Sequence, residues 1–191
     1  MISLLIAFLI LIVFYSLESF LRYGDEAKSR EAGQADKKST LYLSRVFSIN
    51  LLVLFSGFLL HQFTKLSIFD KLIYPYLGNL VMIIGLITRF TATRTLKQYY
   101  TRTLKIQSDQ KVIDFGLYKY LRHPGYLGLL MIWIGASVAS NNWLIFIFIT
   151  LASILVYHYR MESEEQMLIS AFGGSYINYK KRTWRLVPWL Y

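Results

Sequence analysis

Cysteine is absent from the 191 residues. Disulfides, thiolate metal sites and a cysteine nucleophile are thereby excluded. Internal repeats and low-complexity linkers are also missing. The first apolar run has neither a basic leading segment nor a small-residue cleavage site of the A-x-A kind, so it reads as a membrane span rather than a cleaved leader. Polar side chains inside the apolar runs are few. Asn50 and Ser56 are mild, and Glu18 lies near an end. No proton relay or ion pathway is evident, which argues against a channel or a transporter. A separate basic domain to dock on a duplex is lacking, so the net charge of +10 does not indicate nucleic acid.

What the sequence has is apolar length. Hydrophobic residues make up 55% of the chain, gathered into runs separated by short charged loops. About 20 apolar residues cross a bilayer core as a helix, and the helix is required because backbone groups find no water there. Five spans are expected: Ile2 to about Leu21, Leu41–Phe63, Leu72–Phe90, a short one at Tyr126–Val138, and Trp143–Tyr159. The last two are joined by Ala139 to Asn142 only and must form a tight hairpin. The short fourth span is expected to pack against protein rather than lipid. The fold class is all-α integral membrane, as one domain over residues 1–191.

Lys and Arg set the orientation. The first loop carries six of them, the third eight and the tail five, against Lys65 and Lys71 in the second. The N-terminus is expected outside, with the first loop, third loop and tail cytoplasmic. The charge also suits anionic membrane lipids. Thr93–Thr103, with Leu96, Tyr99 and Tyr100 at helical spacing, reads as an interfacial amphipathic helix. Beyond the fifth span a helical pattern continues to Gly173 and Gly174, which end it as glycine caps do.

Two motifs bear chemistry. In the first, Gly116-x-Tyr118-x-x-x-Arg122-His123-Pro124-Gly125-Tyr126-x-Gly128 leads into the fourth span. Pro at a first helical turn costs nothing, and Arg and Tyr are ordinary at a membrane boundary. The same helix start also offers free N–H groups to an anion such as a ligand carboxylate, with His123 as a further donor. In the second, Arg160, Glu164 and Glu165 follow the fifth span. Arg160 and Glu164 stand at i and i+4, where a surface ion pair is worth only a few tenths of a kcal/mol. Beside the His-Pro turn, however, the acid and the cations together suit a zwitterionic amino acid.

In this order and spacing, the two motifs resemble the isoprenylcysteine carboxyl methyltransferase and phospholipid methyltransferase family, in its smaller prokaryotic form. The resemblance runs from about Gln110 to Pro188 and includes Phe172-Gly173, Tyr176-x-x-Tyr179 and Arg182. It implies a pocket for S-adenosylmethionine, yielding S-adenosylhomocysteine, covered by the cytoplasmic C-terminal helix and tail. It assigns Gln110, Lys111, Val112, Ile113, Tyr118, His123, Pro124, Gly125, Tyr126 and Glu164 to the cofactor, with Glu164 at its ammonium and Gln110 and Gly125 acting through backbone. It gives Arg160 the polar group of the substrate, Arg160 and Glu165 catalysis, and Tyr176 and Tyr179 further substrate contact. No metal is implied. The lack of a Gly-x-Gly-x-x-Gly run fits, because this family uses no Rossmann domain. Residues 1–90 would form the substrate side and 91–191 the cofactor and catalytic part.

The expected activity is carboxyl O-methylation of an isoprenylcysteine-like or other lipid acid, a lipid-soluble acceptor. Phospholipid N-methylation is the alternative, and a non-enzymatic membrane protein of the same fold the second. A carboxylate is already ionised and needs only orientation, for example a bidentate grip by Arg160. An amine needs a base, for which Glu165 or His158 are the candidates.

Overall fold

The computed structural model describes residues 2–20, 36, 38–60, 67–68, 73–101, 103–107, 109–189 and 191. Six α-helices are present among them. They are α1 (Ile2–Phe20), α2 (Ser39–Leu60), α3 (Ile73–Leu96), α4 (Pro124–Ala139), α5 (Trp143–Phe172) and α6 (Gly174–Lys181). α1, α2, α3 and α5 are long and apolar enough to cross a membrane, and α4 is a shorter apolar helix. α1 buries Leu4, Ala7, Ile10, Leu11 and Phe14 against the bundle, one stripe at helical spacing.

The centre of the bundle is the seam between α3 and α4. Gly78 and Gly85 on one helix face Gly135 and Gly128 on the other, in antiparallel order. A Cβ on Gly85 would lie 2.7 Å from the Gly128 carbonyl oxygen, and one on Gly78 2.6 Å from that of Gly135. Small residues let two backbones meet where lipid gives no hydrophobic drive between helices. α4 is consequently enclosed: eleven of its sixteen residues are buried, Trp133 among them. This is the packing its short length led us to expect.

Pro124 stands in the first turn of α4. At the other end of the hairpin Asn142 caps α5, its side-chain oxygen accepting from the amides of Leu144 and Ile145 at 3.0 and 3.3 Å. The helix then runs without a break for 30 residues. That is about 45 Å at 1.5 Å per residue, longer than a bilayer core of about 30 Å, so its last turns stand clear of the apolar layer. Gly173, at φ +53°, ends it.

One expected element takes another form. Thr93–Thr103 is not a separate amphipathic helix. α3 continues to Leu96, Lys97–Tyr99 form a 3-10 turn, and Tyr100 is extended. Lys97 has φ +51°, outside any right-handed helix. The apolar and aromatic residues of this stretch turn inward to line a cavity instead of lying on lipid.

Candidate functional site

Three contiguous cavities run through the end of the bundle formed by the His-Pro turn. A central cleft of about 80 Å³ lies between the end of α3, the start of α4 and α5, with Arg89, Tyr100, His123, Tyr126, Arg160 and Glu164 in its wall. A second, also about 80 Å³, shares Leu96, Gln110, Tyr118 and Glu164 with it. It reaches on to Val112, Ile113, Phe172 and Tyr176. The third is about 270 Å³ and more apolar. Phe14 and Tyr15 of α1, Leu43 and Phe47 of α2 and Leu129 of α4 line it. It shares Arg89, Tyr100, Thr101, Tyr126 and Arg160 with the central cleft. A polar cleft and an apolar chamber therefore meet at two guanidinium groups and two phenols.

The glycine seam aims Arg89 at this junction. Gly125 makes room for it, since a Cβ there would lie 2.9 Å from Arg89 Nη1. Arg89 donates to both carboxylate oxygens of Glu18, from Nε at 3.2 Å and from Nη2 at 2.8 Å. Tyr100 donates its hydroxyl to the same carboxylate and receives Nη2 of Arg89 at 2.5 Å. Arg160 Nη1 donates to Asp36 Oδ1 at 2.5 Å, Ser39 Oγ at 2.6 Å and Thr40 Oγ1 at 2.8 Å. Burial pushes the Asp36 carboxyl up. Hydrogen bonds from Thr40 and Ser39 and the Arg160 charge outweigh it, and the net shift is downward. Tyr126 links the two motifs, donating to Glu164 Oε2 at 2.7 Å and accepting from Arg160 Nε at 3.2 Å.

Beneath the cleft, Glu165 gathers the tail. Its Oε1 accepts from Arg122 Nε at 2.9 Å and lies 3.1 Å from His123 Nε2; its Oε2 meets Lys180 Nζ at 2.7 Å. Arg185 Nε is 3.3 Å from Oε1, a charge contact without hydrogen-bond geometry. Burial alone would raise the Glu165 carboxyl. Hydrogen bonds from His123, Lys180 and Arg122 hold it far below the ordinary carboxylate range. The tail is also laced by backbone, with Arg122 N to the Trp184 oxygen at 2.8 Å and Trp184 N to the Tyr120 oxygen at 2.9 Å. Tyr179 donates to the Tyr118 carbonyl at 2.7 Å. These bonds press the tail onto the His-Pro turn.

Among the residues singled out from sequence, Gln110, Tyr118, His123, Gly125, Tyr126 and Glu164 line the central cleft, and Lys111, Val112 and Ile113 line its extension. The Gln110 side chain accepts from Gln107 N at 3.0 Å. Pro124 shapes the turn without lining a cavity described here. Arg160 stands at the junction. Glu165 lines none of the three cavities; its cationic partners hold it underneath. Tyr176 and Tyr179 line the polar extension rather than the apolar chamber. His158 lies outside all three cavities, 2.7 Å from the Tyr191 hydroxyl.

Sequence reading missed Arg89, Glu18, Tyr100 and Asp36. The available signal was an acid and an arginine at span ends, where ionisable groups are costly and need partners.

A family model described as the isoprenylcysteine carboxyl methyltransferase family matches residues 77–170. A protein-S-isoprenylcysteine O-methyltransferase of Dictyostelium discoideum is 30% identical over 158 residues, covering 81% of this chain and 65% of that protein. The chain thus spans less than two thirds of that relative's length. Methanethiol S-methyltransferase 1 of Bradyrhizobium diazoefficiens is 40% identical over 73 residues, 38% of this chain and 25% of that one. The fold matches a solved eukaryotic intramembrane Ras methyltransferase, an isoprenylcysteine carboxyl methyltransferase. The TM-score is 0.64 at 22% identity, over 93% of this chain and 63% of the other. The paired motifs, the helical arrangement and these matches together support the isoprenylcysteine carboxyl methyltransferase family for this chain.

Proposed function

We propose that this protein methylates the carboxylate of an isoprenylcysteine-like lipid, using S-adenosylmethionine. The meeting of a polar cleft and an apolar chamber at Arg89, Tyr126 and Arg160 carries the reading. One side suits a polar, zwitterionic cofactor and the other a prenyl chain reached from the bilayer.

The residues present fit the cofactor. Glu164 offers a carboxylate for an ammonium. At the start of α4 Pro124 has no N–H and the Tyr126 amide bonds the His123 carbonyl at 3.1 Å, so the first turn offers a carboxylate the Gly125 amide. Leu96, Val112, Ile113 and Phe172 give apolar walls for a purine. The Thr93 hydroxyl is buried without a hydrogen-bond partner in the wall of the central cleft. When bound, S-adenosylmethionine supplies an electrophilic methyl group on a sulfonium.

The protein's own work is orientation. The acceptor is already ionised, so no base is required; what counts is an oxygen held in line and close to the methyl. Arg89 and Arg160 are the cations able to grip it, and Tyr126 ties the acceptor side to Glu164. The tail, clamped by Glu165, excludes water from the cleft. The Lys and Arg distribution supports a cytoplasmic site and an N-terminus outside.

The test is Arg160→Ala and Arg89→Ala in lipid-reconstituted protein. Each is expected to lower turnover of a prenylcysteine acid by about 100-fold or more while S-adenosylmethionine still binds. Unchanged turnover in both variants, with cofactor bound, rules this assignment out.

A further inference from the structure

The acceptor chamber already contains a carboxylate. Glu18 of α1 lines it beside Arg89 and Tyr100. Its two oxygens meet Nε and Nη2 of Arg89, the fork by which arginine takes a planar carboxylate, and the Tyr100 hydroxyl completes the seat. Both partners are nearly enclosed, at 12% exposure for the acid and 11% for the arginine. From this geometry we infer that Glu18 is a stand-in for the acceptor: it holds the Arg89 fork in the resting protein, and the acceptor's carboxylate must displace it.

The inference rests on the carboxylate reading given above, and the chemistry follows from charge. A buried guanidinium without a counter-ion is costly, above all near a membrane core. An empty acceptor site built on Arg89 alone would be unstable, and Glu18 keeps it neutral. One fork edge cannot hold two carboxylates, so the acceptor and Glu18 compete for it. Exchanging one acid for another leaves the charge at the fork unchanged, provided the displaced Glu18 carboxylate swings away from Arg89. Methylation then turns the acceptor into a neutral ester, which gives up the charged grip. Glu18 returns to Arg89 and the product is released into lipid. The same competition sets specificity: a neutral lipid cannot evict Glu18, and a carboxylate can.

The experiment compares wild type and Glu18→Gln in lipid-detergent micelles. Two ligands are titrated, an N-acetyl-S-prenylcysteine and its carboxamide. Apparent affinity falls by the fraction of molecules whose site is open. If Glu18 holds the fork in about nine of ten molecules, its neutral variant binds the carboxylate about tenfold more tightly, with carboxamide affinity unchanged. Equal shifts for both ligands, no shift for either, or weaker carboxylate binding would overturn the inference. Should the glutamine variant fail to fold, Glu18→Asp decides with the same ligands. A side chain one methylene shorter holds the fork less well, so tighter carboxylate binding supports the stand-in, and unchanged or weaker binding overturns it. Wild-type protein that neither binds nor methylates the carboxylate refutes the functional reading itself. Wild type that does both, beside an unshifted variant, refutes only the role of Glu18.

Discussion

The two halves of the molecule are built to different standards. In the second, α4 is enclosed by its neighbours, glycines lock it to α3, and the tail is pinned by Glu165 and by backbone pairing. In the first, α2 buries little beyond Ser39, Asn50 and Leu54, and its polar ties to α5 are Ser39 and Thr40 to Arg160 at its start and Asn50 to Ser153 at 3.1 Å. Leu52, Phe55 and Leu59 face outward. The second half carries the residues assigned to the cofactor, and the first supplies Phe14, Tyr15, Leu43 and Phe47 to the wall of the apolar chamber.

That comparison can be broken in several places. The largest effect is expected at Glu165. Removing one member of a buried ion cluster strands the others, so Glu165→Ala should cost about 3–5 kcal/mol, read as a drop in thermal stability together with loss of cofactor binding. Next is Glu164, whose exchange for alanine deletes a charged hydrogen-bond partner. Cofactor affinity should fall by roughly 10- to 100-fold, the equivalent of about 1.5–3 kcal/mol, by calorimetry on folded protein. Gly85→Val tests the seam: overpacking it should destabilise by about 1–3 kcal/mol, whereas a melting point equal to wild type would mean the helices are not locked there.

Acid is a milder probe of the same clamp. The Glu165 carboxyl is depressed in the folded protein, so its contribution is complete above the ordinary value of 4.5 and is lost as pH falls below it toward the folded value. Thermal stability should therefore decline with acid below about pH 4.5, and Glu165→Gln should flatten that decline. The smallest effect belongs to the open half. Leu52→Ala, on a lipid-facing surface, should change stability by less than about 0.5 kcal/mol. A larger loss would show that α2 is packed as tightly as α4.

Much of this was legible in the sequence, for physical reasons. Long apolar runs, Pro124 at a helix start and Gly173 at a helix end act locally, so the helices fall where composition places them. The His-Pro turn and the Glu164 helix were legible because their spacing within one hairpin fixes their proximity. Glu165 and its neighbour Glu164 have the same chemistry in sequence; only the folded tail, bringing Lys180 and Arg185 back over the turn, gives the two different surroundings. Arg89 and Glu18 were counted as boundary charges, since nothing local says that residues 71 positions apart meet in one chamber. The helix expected at Thr93–Thr103 failed for a related reason. Its periodicity is real, but the surface its aromatic residues cover is a cavity within the protein, not the bilayer.

The most direct measurement is the fate of a labelled methyl group. Wild-type protein in proteoliposomes is given methyl-labelled S-adenosylmethionine with a prenylcysteine acid, and the lipid product is treated with base. The account predicts label in the prenyl lipid that base releases as methanol. Label that resists base and resides on phospholipid amine, or transfer to neither lipid by folded, cofactor-binding protein, would contradict it.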